Sequence, residues 1–169
     1  LLDESNNLLN PKLPFTIDLV ESLEVDDGFS NKNKSEYSYG GGAYYYKDSR
    51  NREFALFGNS LKKDNFGLSK IFHHQQENSN DSSRAEYQDH ISKKGNHYRT
   101  EIYDSNNKLY KTTINAWDKI ELDSKRNFVF LAKSVEMTYE SNGNHKDKAE
   151  TYLYDPTNGN LIEKQEWGQ

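Results

Sequence analysis

Five histidines and 27 carboxylates are the candidates for metal or acid–base chemistry in this chain, because cysteine, the usual thiolate ligand and nucleophile, is absent. His73 and His74 are neighbours on a segment that reads as a strand, so their side chains leave opposite faces and cannot share one ion without a bulge. They are expected to be solvated or hydrogen-bonded, and no metal ligand is assigned. Asp26-Asp27-Gly28 and Asp64-Asn65 concentrate oxygen atoms, but neither has the Asp-x-Asp-x-Asp-Gly…Glu spacing that surrounds calcium, and both read as turns. The chain has no Gly-x-Ser-x-Gly, His-Glu-x-x-His or phosphate loop, so no catalytic residue and no cofactor are expected. A pair of glycosidase carboxylates, which would meet only in space, stays open. Tyr37, Tyr39, Tyr44 and Tyr46 form a candidate contact surface, since tyrosine rings stack and carry a polar handle. The competing expectation, which the half-buried sheet preference of tyrosine favours, is that one parity packs inward while the other lines a wall.

The elements that would carry these residues are strands. Apolar residues (AVILMFWYC) make up 33% of the chain, so its core must be thin, whereas 12 tyrosines and 8 phenylalanines suit a pleated surface buried on one side. Period-two alternation predicts strands over 15–25, 35–46, 53–63, 67–76, 97–103, 109–117, 128–139, 149–154 and 160–167. Turn signals separate them at Asp26-Asp27-Gly28, Asp64-Asn65, Asp104-Ser105-Asn106-Asn107, Ser141-Asn142-Gly143-Asn144 and Pro156-Thr157-Asn158-Gly159, with Gly40-Gly41-Gly42 read as a bulge or bend. The expectation is an all-β antiparallel hairpin meander, sandwich-like or shell-like, with little helix. It divides into an irregular lead-in (1–12), a first β-subdomain (13–76), a polar loop with one helical turn near Ala85–His90 (77–94), and a second β-subdomain (95–169).

Charge limits the partners. The formal net charge of −5 comes from acidic and basic residues mixed along the chain, without the positive patch that nucleic acid or an anionic membrane requires. No apolar run approaches the ~20 residues of a transmembrane helix. The chain opens at Leu1 without a signal-peptide pattern and is expected to be a fragment whose export signal lies elsewhere.

Two hairpins are near copies. Tyr103-Asp104 with Leu109 and Tyr154-Asp155 with Gly159-Asn160-Leu161 both end a strand in Tyr-Asp and resume at Leu after a short turn. They resemble the Tyr-Asp repeat of RHS proteins, although the first copy has Asn107-Lys108 where the repeat usually has Gly-Asn or Gly-Arg. The order of other motifs extends the likeness: Leu13-Pro14-Phe15, Asp26-Asp27-Gly28, the run Tyr37 to Tyr46, Asn51-Arg52-Glu53-Phe54 before Phe57-Gly58, and Phe72-His73-His74-Gln75. Together they resemble the middle region of the B component of bacterial toxin complexes and of SpvB-like proteins, over nearly the whole chain. Where that region usually has Arg-Gly-Phe-Gly, this chain has Ala55-Leu56-Phe57-Gly58.

The resemblance implies a non-catalytic structural segment of a secreted or surface-located bacterial protein that connects modules or forms part of a β-shell enclosing or presenting a toxin. Its implied partners are a β-propeller and an RHS shell in the same polypeptide, and other toxin-complex subunits. The chain has no Glu-x-Glu of the kind used by the ADP-ribosyltransferase domains attached to SpvB-like proteins. The alternatives are an adhesion or carbohydrate-binding β-module and, behind it, a glycan hydrolase. The last strand is expected to leave an open edge, with Ile162 and Trp167 on opposite parities.

Overall fold

The structure is a computed structural model that describes residues 10, 12–29, 31–75, 81–87 and 89–168. Most of the irregular lead-in expected at 1–12 lies outside the described residues. Strands hold 58% of the chain and helical turns 4%, so the all-β meander is what forms.

The first six strands are β1 (Ser22–Asp26), β2 (Lys32–Gly40), β3 (Tyr44–Tyr46), β4 (Arg52–Phe54), β5 (Asn59–Asp64) and β6 (Gly67–His73). The remaining five are β7 (His97–Asp104), β8 (Leu109–Glu121), β9 (Asn127–Tyr139), β10 (His145–Tyr154) and β11 (Leu161–Gly168). Nine of them form one antiparallel sheet in the order β1-β2-β5-β6-β7-β8-β9-β10-β11, and β3 pairs with β4 in a two-stranded side sheet. Because β6 pairs with β7, from Gly67↔Asp104 to His73↔His97, the sheet runs unbroken across the polar segment between the two halves.

Aspartates close most of the turns. Asp27, Asp48, Asp64, Asp104, Asp123 and Asp155 each accept at least one backbone N–H from residues further along their own turn. The side-chain amides of Asn31 and Asn51, ahead of these backbone bonds, hold the Asp27 and Asp48 carboxyls below the usual carboxylate range, and the Lys125 N–H and Arg126 guanidinium do the same for Asp123. Side-chain capping of this kind lets a polar chain turn tightly without buried apolar loops.

Three strand expectations need correction. The strand expected over 15–25 exists only as Ser22–Asp26, because the stretch after Pro14 crosses the side sheet and sets the Phe15 ring edge-on to Tyr44 and Phe54, at 5.9 and 5.7 Å. The strand expected over 35–46 divides: at the glycine run, where Gly41 has φ 65°, the chain leaves the main sheet and Tyr44–Tyr46 pairs with β4 instead. The strand expected over 53–63 divides at Leu56, which has φ 65°, a left-handed conformation costly for a residue with a Cβ. That break returns the chain from the side sheet to the main one.

Burial is unevenly placed. Among the described residues only Ala43, Ala55 and Tyr98 are buried apolar side chains, whereas His74, Glu86, Asp89, Lys93, Thr112 and Asn115 are buried and polar. The outer strands β1 and β11 are exposed along their whole length.

Candidate functional site

The densest burial is a polar cluster where the segment after β6 folds back over β6 and β7. His74 follows β6 and is fixed by its backbone: its N–H donates to Asn96 O at 2.9 Å, and its carbonyl accepts from Gly95 N at 2.9 Å. Its ring faces Tyr98 on β7, centroid to centroid 5.2 Å. The other members come from residues 81–94. Asp81 starts a 3₁₀ turn, Ser82–Arg84, and the segment closes on itself: Glu86 N donates to Asp81 O at 3.0 Å while Asp81 N donates to Glu86 Oε2 at 2.7 Å. A second 3₁₀ turn, Ile91–Lys93, is capped by His90, whose ring accepts from Ser92 N at 3.1 Å. These turns flank the one expected at Ala85–His90.

His74 Nδ1 lies 3.4 Å from Glu86 Oε1 and 3.3 Å from Asp89 Oδ1, and the three side chains are 1%, 3% and 0% exposed. Lys93, equally buried, donates from Nζ to Trp117 O at 2.6 Å. Two anions are thus buried with one cation and one imidazole. Burial disfavours a charged His74, but the Asp89 and Glu86 carboxylates outweigh it and the imidazole titrates above its ordinary value. Burial lowers Lys93, with Asp118 and Asp89 opposing it, and pushes the Tyr98 phenol up. Such a cluster can hold a proton or a cation, since the negative charges already converge and are screened from water.

His73 has partners different from those of His74. His73 Nε2 is 3.2 Å from Ser60 Oγ and Nδ1 is 3.3 Å from Gly95 O, and burial lowers its pKa. The adjacent pair His73/His74 carries no sign in the sequence of Glu86, Asp89 and Lys93. The one available signal was Glu86-x-x-Asp89, two carboxylates three residues apart in an otherwise uncharged stretch after Arg84.

The expected structural motifs are placed as follows. Tyr103 and Asp104 end β7 and Leu109 starts β8; Asp104 Oδ1 accepts from Asn106 N and Lys108 N, both at 2.9 Å, and Asn107 has φ 61°. Tyr154 ends β10 and Leu161 starts β11; Asp155 Oδ1 accepts from Thr157 N at 2.8 Å, Asn160 N donates to Asn158 Oδ1 at 2.8 Å, and Gly159 has φ 74°. In both hairpins the left-handed residue stands two before the leucine.

Asn51 closes the turn into β4, where Arg52, Glu53 and Phe54 follow. Glu53 pairs with Lys94 at 2.5 Å, which ties the side sheet to the polar segment. Phe54 and Phe57 stack edge-to-face at 5.5 Å, Tyr39 meets Phe57 at 5.3 Å, and Gly58 N donates to Gly41 O at 3.2 Å. Of the candidate contact tyrosines, Tyr39 and Tyr44 join this aromatic group, Tyr37 is half-buried on β2, and Tyr46 is 63% exposed.

No protein-family model matches the chain, and neither a curated protein nor a solved structure matches it.

Proposed function

We propose that the chain is a non-catalytic structural segment of a large secreted or surface-located bacterial polypeptide of the toxin-complex and RHS kind, a stretch of β-wall continued by neighbouring hairpins. The observation that carries this proposal is the open sheet: nine strands in meander order, with outer strands that keep Leu23 and Val25 on β1 and Leu161, Ile162 and Trp167 on β11 half or more exposed. Unpaired strand edges bearing apolar side chains are places where another strand adds. On β11 the occupant would be a further Tyr-Asp hairpin of the same polypeptide, because the sheet already contains two hairpins with a Tyr-Asp turn, β7–β8 and β10–β11.

Two further features support the likeness on which this rests. Leu56, at the position where the resembled region usually has glycine, has the positive φ that glycine adopts without strain. In both Tyr-Asp turns the aspartate Oδ1 accepts the backbone N–H two residues on, from Asn106 and from Thr157.

Size-exclusion chromatography of the intact chain and of one lacking 160–169 provides the test, with glycan binding and glycan turnover assayed in parallel. Concentration-dependent self-association that is lost on truncation, with the β circular dichroism retained, is expected. Glycan binding abolished by Tyr46→Ala, or turnover lost with a single carboxylate, would replace the structural proposal with the adhesion or the hydrolase alternative.

A further inference from the structure

The His74 ring presents one buried nitrogen to two buried carboxylates, Glu86 and Asp89. One Nδ1–H would have to be shared between two acceptors, and 3.4 and 3.3 Å both exceed the ~2.7–2.9 Å of charge-assisted N–H···O bonds. His74 Nδ1 is buried without a hydrogen bond of acceptable geometry, although it lies within 3.4 Å of both oxygens. The same separations suit a different arrangement. Around a tetrahedral ion with bonds of ~2.0–2.1 Å to nitrogen and oxygen, two ligand atoms stand roughly 3.3–3.4 Å apart. One ligand atom from each of His74, Glu86 and Asp89 lies within 4.8 Å of the others.

We propose that His74 Nδ1 and one oxygen each of Glu86 and Asp89 bind a divalent transition-metal ion, zinc first, which pins residues 81–89 to the end of β6. An imidazole with two carboxylates is a borderline donor set, unlike the six to eight oxygens that calcium takes. The two carboxylates neutralise the ion, so Lys93 can keep its bond to Trp117 O. Glu86 also lines a shallow cavity with Tyr98, Phe72 and Gln75, which gives an ion a way in. The proposal concerns this cluster alone and does not depend on the role of the sheet edges.

Chelator-stripped protein titrated with zinc chloride in a calorimeter is expected to bind one equivalent, with a higher Tm. His74→Ala and the near-isosteric Asp89→Asn should each weaken binding by more than the roughly 10–100-fold that loss of a supporting partner costs. His145→Ala, which removes the exposed His145–Asp147 pair, should leave binding unchanged. If a variant fails to fold, long-range 1H–15N spectra of the unaltered protein decide: zinc should shift Nδ1 of His74. Absence of stoichiometric zinc binding, calcium binding in its place, binding that survives His74→Ala, or a zinc-induced shift confined to another histidine would each overturn the proposal.

Discussion

Glu101 shows how single residues hold a wet sheet together. Its carboxylate accepts from Arg99 Nε at 2.7 Å and from Tyr103 OH at 2.7 Å, on the same face of β7. Burial raises its pKa, but the Tyr103 hydroxyl and the Arg99 guanidinium outweigh it and hold the carboxyl below its ordinary 4.5, while burial and Glu101 push Tyr103 up to about 12. A depressed folded pKa contributes stability that is present above the unfolded value and is lost as pH falls through the folded one. Glu101→Gln should therefore lose stability at pH 7 and narrow the difference between pH 7 and pH 3 in urea unfolding; an unchanged difference would show that the network contributes nothing. Little of the His74 cluster was legible at this scale. His74 gave a signal, but its partners Glu86 and Asp89 come from a stretch without periodicity, and only the fold-back onto β6 brings them within 3.4 Å.

Between strands, the turn residues dominate. Gly67 opens β6 at φ 148°, and a Cβ there would stand 2.0 Å from the Tyr103 carbonyl oxygen on the paired strand. Backbone cannot yield as a side chain can, so Gly67→Ala should cost more than about 3 kcal/mol or prevent folding. Gly143→Ala, at φ 88° with open space around it, should cost only ~1–2 kcal/mol; equal losses in thermal melts would contradict this account. The hairpins around Asp104, Asn142 and Asp155 were legible because period-two alternation and turn chemistry point the same way in each. Ends were less so: β8 runs to Glu121 and β10 starts at His145, beyond the apolar alternation, since ladder bonds to β9 continue through exposed charged residues. The split at Leu56 was hidden because a leucine with positive φ carries no local signal.

At the scale of the molecule, the sheet is long, unclosed and covered mainly at one end. The antiparallel meander order was readable from the sequence, but the continuity of β6 with β7 was not, because their partnership spans the polar segment. Both outer strands are exposed, and on β11 Lys164 joins Glu150 and Glu166 at 3.2 and 2.5 Å. These charges limit indiscriminate pairing but leave the outward N–H and C=O groups of the edge available. The central claim, that β11 is an open edge awaiting a further strand, is tested most directly by residue-resolved hydrogen exchange of the chain at a concentration where it sediments as a monomer. Alternate amides of β11 should exchange fast while those of β8, paired on both sides, stay protected. Slow exchange at every amide of Leu161–Gly168 in the monomer would mean that the edge is already capped, and would contradict the account.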